Sequence, residues 1–581
     1  MHRFRVWAPA AKQVEIKIGE VRTALKPIDG GWWEVSIDSA GPGTDYAYIL
    51  DGQEPAVPDP RSEWQPTGVH GPSRVVDHSA FQWSDTGWEA PEFASGVVYE
   101  LHVGTFTPEG TLDALIPHLD YLKDLGVTHV ELLPLAAFPG IRGWGYDGVD
   151  LFAVHQPYGG PEALKRFVDA AHGKGLAVLL DVVYNHFGPS GSYVGKFGPY
   201  FTPSHTTPWG DAVNLEDAGS HEVRRFFCDN ALMWLRDYHI DGLRLDAVHA
   251  YMDRSAINFM EQLAEEVGAL ETELGKQFVL IAESDLNDPR LVKPVDEGGY
   301  GLDAAWSDDF HHALVTVLTG EREGYYADFG SVEDLAKSLE HIFVYDGQYS
   351  PYRNRTHGRS ADGLPGWKFL GYSQNHDQVG NRAQGDRLSH IAGDGGAKIA
   401  AALVLTAPFV PMLFQGEEFA SSAPFQYFTA HEDAELGRLV SEGRKREFVA
   451  FGWSPEDIPD PQAEETFNRS KLDWAEVDRE PHRSMLQWYR ALIRLRRETP
   501  ELNDGQMDEV NVRLEESGQA RRWISVQRGP VQVVCNLGTE PYNMRLPAGA
   551  AIALKSTAEE VLNGEGITLP ANAVVVIKTD K

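Results

Sequence analysis

Cysteine is nearly absent: the 581 residues contain two, Cys228 and Cys535. Two cysteines cannot make a disulfide framework for a chain of this size, and their apolar contexts predict buried free thiols. No apolar run reaches the roughly 18 residues that a membrane span needs. The opening MHRFRVWAPA lacks a charged segment followed by an apolar one, so no secretory leader is expected. These absences predict a cytoplasmic protein. Positive charge is also scarce, with 51 Lys and Arg against 86 Asp and Glu and a net charge of -35. That balance argues against nucleic acid, whose phosphates need basic clusters, and against an anionic membrane surface. Neither G-x-G-x-x-G nor G-x-x-x-x-G-K-[ST] follows an apolar strand pattern, so no phosphate loop is expected. No His/Cys cluster with metal-ligand spacing and no Ser nucleophile elbow stand out. Neither a cofactor nor a metal is predicted.

What is present falls into three stretches. Residues 1–88 read as all-β: Val14, Ile16 and Ile18 alternate with polar residues, as do Trp33, Val35 and Ile37, then Tyr46, Tyr48 and Leu50. Short alternating strands between turn clusters such as AGPGTD predict a sandwich. SDTGWEAPEFASG (84–96) reads as a linker. From Gly96 to about 500, strand patterns alternate with helical ones. Eight strand candidates stand out: VVYELHV, THVELLPL, LAVLLDVV, GLRLDAV, FVLIAES, GLDAAWS, FLGYSQN and VPMLFQG. Repeated βα units leave a doubly wound sheet or a (β/α)8 barrel, and the count of eight favours the TIM barrel. Pro117, within a helical pattern ending at Gly126, fits only a first turn or a kink. Residues 186–215 and 419–475 are long for connections and are expected to carry function or small structure of their own. The last region, 505–581, returns to short β runs (WISVQ, VQVVCNL, AVVVIK) and reads as a second β-sandwich.

A barrel places its reacting groups at the C-terminal ends of several strands. Those ends carry Asp181 with Asn185 and His186, Arg244 with Asp246 and His249, Glu283 with Asp285, and Asn375 with His376 and Asp377. In DGLRLDAVHA (241–250), Arg244 and Asp246 fall on one face by the two-residue strand period. A structural ion pair and an active-site carboxylate held ionised by its neighbour both fit that pattern. Four strand ends bearing carboxylate or His favour the second. Carboxylates without a metal cluster or phosphate loop point to acid–base chemistry on a neutral substrate, as in glycoside hydrolysis. That chemistry needs one carboxylate ionised and another protonated. Asp246, beside Arg244, suits the nucleophile. Glu283 ends an apolar run with no adjacent cation, and desolvation suits it to acid/base work. Asp377 would support the oxocarbenium-like transition state.

DVVYNH (181–186), DGLRLDAVH (241–249), AES (282–284) and YSQNHD (372–377) resemble, in order and spacing, the four motif regions of the α-amylase family of glycoside hydrolases. The resemblance covers about 96–500, and RVWAPAAKQVEI looks like the glycogen-binding-like sandwich that precedes the barrel in branching and debranching enzymes. It implies a retaining mechanism on α-glucosidic bonds, with nucleophile Asp246, acid/base Glu283 and stabiliser Asp377. Tyr146, His186, Arg244, His249 and His376 then fall at or beside sugar-contacting positions. The Asn185 position binds calcium in many α-amylases, but the other ligands of that site are not recognisable.

DPRSEWQPTGVHGPS (59–73), AESDLNDPR (282–290), RNRTHGR (353–359) and PFQYFTAHEDAELGRLVSEGRKREF (424–448) resemble the branch of that family that releases trehalose. This implies a maltooligosyl trehalose substrate, made by a preceding maltooligosyltrehalose synthase and cut at the α-1,4 bond next to its trehalose end. Specificity should then sit in loops around the +1 and +2 sugars. The 419–475 stretch offers Phe425, Tyr427, Phe428 and His431; Asp285, Tyr427 and His431 are the candidate +1 and +2 contacts. A branching or debranching enzyme is the alternative within the family. A non-catalytic glucan-binding protein would be expected to lack one of the three carboxylates, and an NAD- or phosphate-using enzyme would need a phosphate loop.

Overall fold

The computed structural model describes residues 1–449, 453–517, 520–547, 549–558, 561–563 and 566–579. Eight parallel strands close into a barrel: β1 Val98–Leu101, β2 His129–Leu132, β3 Ala177–Val182, β4 Gly242–Leu245, β5 Val279–Ala282, β6 Ala304–Trp306, β7 Phe369–Gly371 and β8 Val410–Phe414. They pair in chain order, and β8 closes on β1. All eight predicted runs are strands. Most stop short of the predicted C-terminal end, although Asp246 and Glu283, just past β4 and β5, still donate their N–H groups to Val182 and Leu245 of the neighbouring strands.

The intervening helices bury one stripe against the strands. Gly160–Gly173 buries Ala163, Leu164, Phe167, Val168 and Ala171, the three-to-four spacing of an amphipathic helix. Pro117 lies in a 3-10 turn, Ile116–His118, between Leu112–Leu115 and Leu119–Leu125. Gly126 ends that segment with φ 107°, a conformation glycine adopts without steric cost. Cys228 and Cys535 are buried free thiols. No described helix is long and apolar enough to cross a membrane.

Before the barrel, His2–Trp7, Trp32–Ile37 and Lys26–Pro27 form one sheet, and Val21–Ala24, Val14–Ile18, Asp45–Leu50 and Ser73–Arg74 another. Phe4, Val6, Val14, Ile16, Tyr46 and Tyr48 are buried in one cluster. The stretch that reads as a linker is strapped to the barrel. Trp88 donates to Asp241 Oδ1 at 2.8 Å and stacks on His172, while Asp85 bonds His172 and His239 at 2.9 and 2.8 Å. After the barrel come a five-stranded and a three-stranded sheet, with Trp523, Val534, Ile567, Leu569, Val575 and Ile577 in one buried cluster.

Both long connections carry structure. The one after β3 holds a helical turn, Val194–Phe197, and the antiparallel pair Phe201–Thr207 and Gly210–Val213. The one after β8 holds helices Ala434–Val449 and Glu464–Arg469.

Candidate active site

The site is built around Arg244, fully buried near the C-terminal end of β4. Its guanidinium lies over the Trp306 ring of β6, 4.3 Å from the centroid. Nη1 donates to Asp246 Oδ1 and to Asp181 Oδ2, each at 2.7 Å, and Nη2 lies 3.7 Å from Glu283 Oε2. Burial alone would lower the arginine's pKa, but Asp181, Tyr146, Asp246 and Glu283 outweigh it and raise it. One cation thus ties together the ends of β3, β4 and β5. A buried charge persists only with such partners.

Both oxygens of Asp246 are held. Oδ1 accepts from Arg244, and Oδ2 accepts from Asn185 Nδ2 at 2.7 Å; the same amide reaches the Asp246 carbonyl at 2.9 Å. The next residue, Ala247, has φ 43°, a left-handed conformation that costs a residue with a Cβ. That turn aims the Ala247 N–H at Glu283 Oε2, at 2.5 Å. Val248 N–H donates to the Glu283 carbonyl and Glu283 N–H to the Leu245 carbonyl, both at 3.0 Å. Burial pushes the Glu283 pKa well up, while Asp246, Asp308 and Asp377 add to the rise; the expectation of no adjacent cation is corrected, because the fold brings Arg244 from β4 beside it and pulls the pKa partly back. The site therefore holds an ion-paired carboxylate and a carboxyl biased toward its protonated form.

Asp377 reaches the mouth from β7 with its side chain 41% exposed. Asn375 caps the short helix His376–Gly380, its Oδ1 accepting the N–H groups of Asp377 and Gln378. His376, buried behind Asp377, bonds Glu100 Oε1 through Nδ1 at 2.6 Å and the Tyr146 hydroxyl through Nε2 at 2.7 Å. Tyr146 stacks on the His376 ring and donates to Asp181 Oδ2 at 2.6 Å. His186 bonds Asn185 Oδ1 and the Tyr146 carbonyl. The structure thus brings Asp246, Glu283, Asp377, Tyr146, His186, Arg244 and His376 together.

The remaining candidates lie further out. His249 is exposed on the turn Val248–Ala250 and makes no hydrogen bond to the carboxylate cluster among the described residues. Asp285 pairs with Arg353 at 3.2 Å. Tyr427 packs edge-on against Trp144 beneath Arg444. The His431 side chain is 4% exposed and faces Asp147, leaving little of it open to a sugar. Phe425 and Phe428 are fully buried with Trp144 and Phe414; an aromatic of this stretch can stack on a sugar or pack beneath the loop, and these two pack beneath it.

Three residues at the site were not singled out from the sequence. Glu100 bonds His376. Asp308, two residues past β6, accepts from the Tyr372 hydroxyl, and burial pushes its pKa up to about 6. Its strand-end place carries the same signal as the other carboxylates. Trp209, 49% exposed, stacks on His186 at 4.5 Å; it comes from the excursion after β3, where spacing says nothing about aim. A cavity of about 300 Å3 opens beside Asp377, lined by Glu321, Tyr325, Asn381, Arg382, Phe448 and Trp453. Asn381 joins it to the site by donating to Asp377 Oδ1 at 3.4 Å. Asn185 spends its side chain on Asp246 and His186. Among the described residues no group of three or more His, Cys, Asp or Glu is arranged to hold a metal ion.

A closed (β/α)8 barrel with this carboxylate set at its mouth defines a glycoside hydrolase of the α-amylase class. The alpha amylase catalytic-domain family matches residues 72–199, and a domain family of unknown function, DUF3459, matches 508–576. A Malto-oligosyltrehalose trehalohydrolase of Rhizobium sp. (strain M-11) is 49% identical, covering 99% of this chain and 97% of its own. One from Arthrobacter ramosus is 50% identical over 95% of each. A Salmonella typhimurium protein solved as a candidate alpha amylase superposes with a TM-score of 0.90 at 37% identity, covering 99% of this chain and 97% of that one. The chain belongs to the malto-oligosyltrehalose trehalohydrolase family.

Proposed function

We propose that this protein hydrolyses the α-1,4-glucosidic bond next to the terminal trehalose of maltooligosyl trehalose, with retention, releasing trehalose and a maltooligosaccharide. The observation that carries the chemistry is the bridge from Arg244 to Asp246 on one side and Glu283 on the other. The near-full-length likeness to trehalohydrolases carries the substrate. Asp246 attacks the anomeric carbon while Glu283 gives its proton to the departing oxygen, so trehalose leaves neutral. Glu283, now ionised, takes a proton from the water that attacks the anomeric carbon; the bond to Asp246 breaks, which frees the Asp246 carboxylate and leaves Glu283 protonated as at the start. Asp377 accepts from hydroxyls of the reacting sugar as positive charge develops on its ring. Tyr146, His186 and His376 contact that sugar.

The +1 and +2 sugars are assigned to the cavity beside Asp377. Its aromatic rings suit sugar faces, and the Glu321–Arg382 pair, at 2.6 and 2.9 Å, offers donors and acceptors to trehalose hydroxyls. Asp285, Tyr427 and His431 are not among the residues that line it, which favours the cavity residues for this role. The substrate would come from a synthase that closes the reducing end into trehalose. We further propose a division into 1–88, 96–500 and 505–581 and a cytoplasmic location. The test is chromatography of products from maltopentaosyl trehalose, with maltoheptaose alongside. Trehalose from the first and slow cutting of the second is the expected result. Equal cutting of both, or branched products, would overturn the substrate assignment.

A further inference from the structure

The proton positions around His376 follow from its partners. Arg244 carries only donors, and it gives an N–H to Asp181 Oδ2 at 2.7 Å. Burial raises the Asp181 pKa to about 6, with Arg244 opposing, and the guanidinium contact fixes Oδ2 as an acceptor. The Tyr146 hydroxyl, 2.6 Å from the same oxygen, must then be donating its one proton there. Its oxygen can only accept from His376 Nε2, at 2.7 Å. On the other side of the ring, Nδ1 faces Glu100 Oε1 at 2.6 Å, while Glu100 Oε2 accepts the His376 backbone N–H at 2.9 Å. Glu100 is 1% exposed and uses both oxygens on one residue. Nε2 therefore carries a proton, and with Nδ1 donating to Glu100 Oε1 as well the ring is a cation.

We propose that Glu100 is a positioning residue that keeps His376 doubly protonated and, through it, fixes the direction in which the Tyr146 hydroxyl donates. This rests on the catalytic reading above and deepens it. The titratable and charged groups facing the ring are Glu100 and His102 from β1 and the segment after it, Glu131 from β2, Tyr146 from the following loop, Asp181 from β3, Arg244 from β4 and its own neighbour Asp377. Burial pulls the His376 pKa down, but Glu100 and Asp377 outweigh it and push it up to about 9. Glu131 is in register with Glu100 across the β1–β2 pair. Neither of its carboxyl oxygens has a hydrogen-bond partner, and burial pushes its pKa well up. Burial thus biases Glu131 toward its protonated form, which leaves Glu100, hydrogen-bonded to the ring itself, as the counter-charge of the ring.

Without that anion the ring would be neutral at working pH. With the remaining proton on Nδ1, bare Nε2 would take the Tyr146 proton away from Asp181. Asp181 would lose a donor, and Asp377 would lose the N–H that lies 3.6 Å from its Oδ1. The floor beneath the reacting sugar would change its hydrogen-bond polarity with no change in backbone.

The test is to follow the ring carbon–proton signal of His376 with pH in histidine-labelled enzyme, assigned with His376→Gln, and to repeat it in Glu100→Gln. In the wild type the ring should stay cationic well above the ordinary histidine pKa of about 6.5. In Glu100→Gln it should titrate at or below that value. The same variant should lower kcat by roughly 10- to 100-fold. A wild-type ring that titrates in the ordinary range, or a variant whose titration matches the wild type, overturns the proposal. Should Glu100→Gln not fold, the wild-type titration alone decides. Titration needs no turnover, so its outcome is independent of which glucan the enzyme cuts.

Discussion

Arg244 and Asp246, two positions apart, meet at 2.7 Å at the barrel mouth. The strand period puts them on one face, and the Asp246 N–H still donates to the Val182 carbonyl of β3 at 3.1 Å, so the backbone holds the carboxylate in place. The same arginine nitrogen holds Asp181 from β3, so the pair is one arm of a buried network. Removing the cation leaves Asp181 and Asp246 buried without compensation. Arg244→Leu should cost about 3–5 kcal/mol of stability and lower kcat by roughly 10³. Thermal unfolding and steady-state kinetics check both. A variant with wild-type Tm would mean that the carboxylates find other partners.

Glu283 should behave as an acid whose proton the reaction needs. Its folded pKa is raised, chiefly by burial, so it stays protonated above the usual glutamate range, and activity should fall as pH rises through that raised value. Glu283→Gln should lose about 10²–10⁴ in kcat on a trehalose leaving group. With an α-glycosyl fluoride, whose departure needs no proton, much of the loss in the first step should vanish, and the alkaline limb with it. Equal loss on both substrates would assign Glu283 another role.

The barrel was legible because its strands are short apolar runs separated by helical patterns, and a buried parallel strand has no other sequence form. The carboxylates were legible for a related reason: a charge one or two residues past such a run must have a purpose or a partner. The walls of the site were not. Phe425 and Phe428 share the aromatic-rich loop signature of Tyr427, yet they are buried against Trp144 and Phe414. An aromatic in a loop can face a sugar or pack under the loop, and only three-dimensional contacts decide which. Glu100 was hidden for the opposite reason. It lies inside an apolar run that scores as strand throughout, and its partner His376 is far along the chain.

Trp453 and Phe448, from the long connection after β8, form part of the cavity beside Asp377. Trp453 is 38% exposed, so its removal should leave the core intact. If the cavity holds the +1 and +2 sugars, Trp453→Ala should raise KM for maltooligosyl trehalose by roughly 3- to 10-fold, the worth of an aromatic contact of about 0.5–1.5 kcal/mol. The slow hydrolysis of maltoheptaose should change less. Paired kinetics on the two substrates check this, and an equal effect on both would move the trehalose site elsewhere.

Glu417 follows β8 and is buried against β7 and the helix His482–Glu498. Its Oε2 accepts from Phe414 N–H at 3.1 Å, and its Oε1 accepts from the Tyr489 hydroxyl at 3.1 Å and the Ser373 hydroxyl at 3.4 Å. Burial pushes its pKa up to about 8, against the opposing pull of the hydrogen bonds from Phe414 and Tyr489. A carboxyl with a raised folded pKa binds its proton more tightly in the native state. Between the unfolded glutamate value of about 4.3 and the folded value, the native state holds more protons, so stability falls as pH rises. That loss levels off above the folded pKa. Glu417→Gln keeps the shape and an oxygen acceptor but cannot ionise. Its Tm should therefore decline less than that of the wild type from pH 6 to pH 8. Glu418 is also buried, with a pKa pushed up to about 7, so part of the slope should survive in the single variant and shrink further in the double variant Glu417→Gln/Glu418→Gln. Parallel Tm–pH curves for wild type and Glu417→Gln would mean that Glu417 is already ionised in the folded protein, with water or Arg387 as its counterpart.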